Sequence, residues 1–172
     1  MSDQSDRIMI FIDGSNLFHA CKAFRQEFKI DYKKLRDALT AGRKLIRTYY
    51  YGSFNPENEE VRDRQMRFYH ALEEEGFHVF KKPLRKRSKS LIEKGIDIAL
   101  AVDMLALGFQ KAYDVAIIVS GDGDFTPAVE VIKSLGLRVE VAIFRNAINP
   151  DLRRIADKFI PLDELADEIE KK

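Results

Sequence analysis

Five apolar residues, Val115 to Val119, run without a polar interruption, and the chain then reads Ser120-Gly121-Asp122-Gly123-Asp124. A strand with one wet face alternates apolar and polar residues. An unbroken run is what a strand needs when helices cover both faces of a parallel sheet. The two glycines that follow permit a tight turn and a close approach of backbone to a ligand. The two carboxylates fall at the strand's carboxyl end, where open α/β sheets bind their ligands. Asp124 is placed to cap the next helix, with Pro127 in its first turn. A second unbroken run, Ile8 to Ile12, ends the same way at Asp13-Gly14, and Ser15 or Asn16 is expected to cap a helix reaching about Arg25.

The remaining pattern alternates helix and strand. Helices are expected over 31–41, 59–75, 96–107, 126–135, 151–156 and 162–171, and strands over 45–53, 77–80 and 139–143. Continuous apolar strands in a β–α alternation predict an α/β fold, a three-layer α/β/α sandwich. No repeat or linker divides the chain, so residues 7–172 read as one domain behind a loose tail, 1–6. The content, 45% hydrophobic and 33% charged, excludes a disordered chain. Lys+Arg number 29 against 28 Asp+Glu, so net charge does not argue for or against nucleic acid, and local clustering must. A single cysteine, Cys21, excludes an internal disulfide and makes a reducing cytoplasm the expected location. The polar start lacks a signal-peptide core, and no apolar run approaches the ~20 residues of a membrane helix.

Acidic residues recur at the element ends. Asp13 ends the first strand, and Asp122 and Asp124 end the fourth. Residues 96–107 are apolar nearly all round, which predicts burial, yet contain Asp97 and Asp103. A buried carboxylate is costly unless paired, hydrogen-bonded or bound to a cation. Asp97 lies in the first turn, where the helix dipole favours negative charge. Asp103 is roughly 120° further around the helix, so the two do not easily share one small site. In a doubly wound sheet the first and fourth strands lie side by side at the switch point, so that Asp13, Asp97 and Asp122 converge. Such crowding is relieved by a divalent cation, and all-oxygen donors suit Mg²⁺ or Mn²⁺. Such an ion activates water and stabilises charge on a phosphoryl group. Asn16 and Ser120 are positioned as polar helpers. Taken singly, Asp13 and Asp124 are more simply helix caps; the coincidence of acidic ends is what points to a site.

The segment 81–94 reads as a basic loop bordering Asp97. Lys81, Lys82, Arg85, Lys86, Arg87, Lys89 and Lys94 are candidates for phosphate contacts that do not read sequence. Arg62, Arg64 and Arg67 could extend the track. Tyr49, Tyr50 and Tyr51 offer rings for base stacking but fit a strand core better. His19, His70 and His78 show no metal spacing, and Cys21 reads as a packed thiol. No Walker loop or dinucleotide fingerprint is present.

Three motifs in order, Phe11-Ile-Asp-Gly-Ser-Asn-Leu17, Lys94-Gly-Ile-Asp-Ile-Ala-Leu-Ala-Val-Asp-Met104 and Ser120-Gly-Asp-Gly-Asp-Phe125, resemble the NYN domain in its LabA-like branch, within the PIN-like nuclease superfamily. The resemblance spans about Arg7 to Ile160. It implies a PIN-like fold with a mostly parallel sheet of five or six strands, and a Mg²⁺- or Mn²⁺-dependent nuclease acting on RNA, expected to be single-stranded. It implies Asp13, Asp97 and Asp122 as the main acids and metal ligands, Asp124 as a fourth catalytic acid, Asn16 as a helper and Asp103 behind them. It leaves room for a homodimer and for protein partners that recruit substrate. Two other readings compete. One is a non-catalytic RNA-binding or regulatory module. The other is a haloacid-dehalogenase-like phosphatase, in which Asp122-x-Asp124-x-Thr126 would be the nucleophile loop.

Overall fold

The structure, a computed structural model, describes residues 5–172. In chain order its elements are β1 (Arg7–Asp13), α1 (Gly14–Phe24), α2 (Tyr32–Thr40), β2 (Lys44–Phe54), α3 (Glu59–Glu74), β3 (His78–Pro83), β4 (Arg85–Arg87), β5 (Ser90–Ile92) and α4 (Ile96–Phe109). There follow β6 (Val115–Val119), a 3₁₀ turn (Gly123–Phe125), α5 (Thr126–Ser134), β7 (Arg138–Ile143), α6 (Pro150–Ile155), β8 (Lys158–Pro161) and α7 (Ala166–Ile169). The main sheet has six strands in the order β3-β2-β1-β6-β7-β8, and each neighbouring pair runs parallel.

The unbroken apolar strands explain the three layers. Ile8, Ile10 and Ile12 of β1, with Val115, Ile117 and Val119 of β6, face a core filled by Leu17 of α1, Leu35 and Leu39 of α2, Leu72 of α3 and Ile169 of α7. The alternate residues Met9 and Phe11, with Ala116 and Ile118, face a second core filled by Leu100 and Met104 of α4, Val129 and Ile132 of α5 and Leu152 of α6. Side chains of successive strand residues point to opposite faces, so only an apolar residue at every position serves both cores.

The chain leaves β1 towards β2 and β3 on one side, then returns through α4 to β6 on the other. The order therefore reverses between β1 and β6, which makes their carboxyl ends the switch point. Ile12 lies opposite Val119, so Asp13 and Ser120 are brought together by the sheet register alone.

Several details differ from expectation. The segment 81–94 is not a loop. Residues 81–83 complete β3, and β4 and β5 form an antiparallel hairpin pairing Arg85 with Ile92 and Arg87 with Ser90. Its turn places Ser88 at φ 56°. The sixth strand, β8, had no alternating signal of its own. The cap of α1 is Asp13, as its position taken singly suggested, and not Ser15 or Asn16, because its side chain accepts from the Asn16 N–H. Asp124 caps nothing; Asp122 caps the 3₁₀ turn and α5 starts without a side-chain cap. Helix α4 is not buried all round. Ile96, Leu100, Met104 and Gly108 face the sheet, while Ile98, Val102 and Phe109 are exposed, since the helix touches the fold along one stripe. Of the expected tail, residues 1–4 lie outside the described residues, and the Asp6 carbonyl already accepts from the Lys44 N–H. No helix among the described residues is long and apolar enough to cross a membrane.

Candidate active site

The end of β1 places Asp13 at the switch point, only 6% exposed. Its carboxylate accepts from the Asn16 N–H at 3.3 Å and from the Ser120 hydroxyl at 3.1 Å. Burial raises its pKa from 3.8 to about 6, against those two hydrogen bonds and with the help of Glu93 and Asp122 nearby. The same Ser120 oxygen accepts from the Asp122 N–H at 3.2 Å, so one hydroxyl sets both the first acid and the loop carrying the second.

That loop is locked from two sides. The Gly121 N–H donates to Asn16 Oδ1 at 2.9 Å, and the Gly121 carbonyl accepts from the Asn149 N–H at 2.9 Å. A side chain at Gly121 has no room: a Cβ there would lie 1.8 Å from the Ala147 carbonyl oxygen. Asp122 in turn accepts from the Asp124 N–H at 2.9 Å, which turns Asp124 back beside it.

Helix α4 supplies the next acid. Gly95 precedes it at φ +84°, a conformation that suits glycine, and Asp97 sits in its first turn. Carboxylate oxygens of Asp97, Asp122 and Asp124 come within 4.8 Å of one another. Asp13, Asp97 and Asp122 line one pocket of about 280 Å³, with Ser15, Asn16, His19, Glu93 and Gly95. The structure thus brings Asp13, Asp97 and Asp122 to one place, but the tight trio contains Asp124 where Asp13 was expected. Asp13 is held one step back by Ser120. Asp103 is turned elsewhere: it accepts from the buried Tyr51 hydroxyl at 2.8 Å and ties α4 to β2.

Glu93 and His19 were not among the expected site residues. Glu93, fixed by the Ser53 hydroxyl at 2.8 Å, adds a further carboxylate to the pocket. Its sequence signal was position, four residues before Asp97 on the segment that leads into α4. His19 lies three residues after Asn16, hence on the same helix face, a spacing that metal-motif searching does not use.

The expected basic residues divide into groups. Lys82 reaches the site: a Cβ built on Gly95 would lie 2.9 Å from its Nζ, so the ammonium sits over the start of α4. Arg85, Arg87 and Lys89 are exposed on the hairpin, and Lys94 is exposed beside the pocket. Lys81 belongs to β3 and pairs with Glu73 at 3.3 Å, and Lys86 lies 3.9 Å from Glu57. Tyr50 and Tyr51 are core residues. Cys21 is buried, and burial pushes its thiol up to about 12, so it is no nucleophile at neutral pH.

The NYN domain matches residues 7–163. The chain belongs to the NYN domain family. NYN domains fall within the PIN-like nuclease superfamily, and the six-stranded parallel sheet between helices is a PIN-like fold. The NYN domain described here is 28% identical to the low amplitude and bright protein LabA of Synechococcus elongatus, over 99% of this chain and 91% of LabA. It is also 28% identical to an uncharacterised protein of Methanocaldococcus jannaschii, over 92% of this chain and 56% of that one. A crystal structure of a protein of unknown function from Vibrio parahaemolyticus superposes with a TM-score of 0.79 at 26% identity, covering 99% of both chains. With the family known, the likeness of Asp122-x-Asp124-x-Thr126 to a phosphatase loop is local to those residues.

Proposed function

We propose that this NYN domain is a divalent-metal-dependent ribonuclease. The observation that carries the reading is the meeting of the Asp97, Asp122 and Asp124 carboxylates within 4.8 Å, beside the buried Asp13. Membership in a nuclease superfamily supports the same reaction class.

The donors fit a hard dication: they are carboxylate oxygens, they come from two separate parts of the fold, α4 and the turn after β6, and no thiolate lines their pocket. Asp97, Asp122 and Asp124 would hold Mg²⁺ or Mn²⁺, with Asp13 behind them. When bound, the ion would supply neutralising charge and acidify a water. The chain's own groups do the rest. Ser120 fixes the Asp13 carboxylate and the Asp122 backbone together. Asn16 pins the loop so that the acids keep their spacing. Lys82, over the first turn of α4, is placed to bind a phosphate oxygen, and Arg85, Arg87, Lys89 and Lys94 attract the flanking backbone without reading bases. The substrate is RNA, expected to be single-stranded.

The test is incubation of the protein with single-stranded RNA and Mn²⁺ beside an Asp122→Asn variant. Cleavage by the parent and its loss in the variant are expected. No cleavage, or equal cleavage by both, rejects the reading.

A further inference from the structure

One wall of the acidic pocket is α1, through Ser15, Asn16 and His19. The helix buries Leu17, Ala20 and Cys21 and turns its other side outward. An apolar ring stands on that outer side: Phe18 is 53% exposed. Its ring meets the His19 ring edge to face, with centroids 5.6 Å apart. The Lys22 ammonium lies 4.5 Å from the Phe18 centroid. A solitary exposed phenylalanine means little by itself. Here pocket, imidazole, exposed ring and ammonium follow one another along a single helix. From Ser15 to Lys22 the rise is about 10 Å.

We infer that Phe18, with His19 and Lys22, is a stacking subsite for an unpaired nucleobase next to the phosphate held at the acids. This rests on the ribonuclease reading for the location of that phosphate. Its place beside the acidic pocket suits a base: every base has a π-face, and stacking on an aromatic ring tolerates any sequence. Lys22, now over the ring, can turn to the phosphate of the stacked nucleotide. The hairpin cations serve the backbone and α1 serves the base. The arrangement selects single strands, because a base inside a duplex cannot present its face to the ring.

The test uses the protein with Asp122 intact and Ca²⁺ in place of Mg²⁺, so that a hard dication still occupies the acids, with the RNA checked on a gel to be intact over the measurement. The probe is a single-stranded RNA carrying one fluorescent purine analogue that is quenched on stacking. Phe18→Ala is expected to weaken binding by about five- to a hundredfold and to abolish the quench. Phe18→Trp is expected to keep both, whereas Phe18→Leu keeps apolar area but loses the quench. Equal affinity and quench for Phe18→Ala and the parent, or no quench with the parent itself, overturns the subsite. Cleavage by the parent, measured separately, reports on the nuclease reading: stacking without cleavage keeps the subsite and sinks the nuclease, and cleavage with Phe18→Ala unaltered in quench does the reverse.

Discussion

Replacing Asp13 by Asn should abolish function and stabilise the fold at the same time. The side chain is nearly buried at 6% exposure, and burial holds its pKa at about 6 against an ordinary 3.8. A raised carboxyl binds its proton more tightly when folded. The fold therefore bears no cost from Asp13 below pH 3.8, a growing one between 3.8 and about 6, and the full one above. At roughly 1.4 kcal/mol per pH unit the full cost is about 3 kcal/mol at pH 7.5, and about half of that at pH 5. Asparagine keeps the shape and remains a good helix cap, and the Ser120 hydroxyl can rotate to accept from its amide. The assay is urea unfolding of parent and variant in chelator at pH 7.5 and pH 5. The variant should be more stable by up to about 3 kcal/mol at the higher pH, with the gap shrinking at the lower. A divalent cation should narrow the gap by stabilising the parent more than the variant, because the Asp13 charge lies beside the three carboxylates that hold it. A variant that is no more stable than the parent at pH 7.5, or a gap independent of pH, refutes the reasoning.

Other consequences follow from the same geometry. Ser120→Ala removes the hydroxyl shared by Asp13 and the Asp122 N–H, and should cost about 10- to 100-fold in metal affinity or activity, read by metal titration. Arg43 and Glu140 form a buried pair at 2.8 Å, so Arg43→Ala should cost about 3–5 kcal/mol in urea unfolding, while the double change Arg43→Met with Glu140→Leu should be close to neutral. Changing exposed Arg85 and Arg87 together to Gln should flatten the dependence of log affinity on log salt by about 1.4 for single-stranded RNA, measured by anisotropy across a salt series.

Much of this was legible in the chain. The runs Ile8–Ile12 and Val115–Val119 could only be central parallel strands, and once they are neighbours their ends bring Asp13 and Ser120 together without any further signal. The rest depended on tertiary placement. The hairpin Arg85–Ile92 has no apolar alternation to betray it and exists through a left-handed Ser88 turn. Apolar residues all round α4 implied burial, but a helix packed on one side of a sheet hides only one stripe, and Ile98, Val102 and Phe109 stay outside. Asp124 could be read as a helix cap from sequence. Only the Asp122 turn, which takes its backbone N–H, shows why its carboxylate instead stands beside Asp97. Glu93 and His19 enter the pocket from segments whose local sequence suits solvent equally well.

In the proposed function these acids gather to hold a hard dication. Anomalous diffraction from a crystal soaked in Mn²⁺ tests it most directly. A peak is expected among Asp97, Asp122 and Asp124, next to Asp13, and its disappearance in Asp122→Asn. A crystal of the parent protein with no peak there at saturating Mn²⁺, or with one unchanged by the substitution, contradicts it.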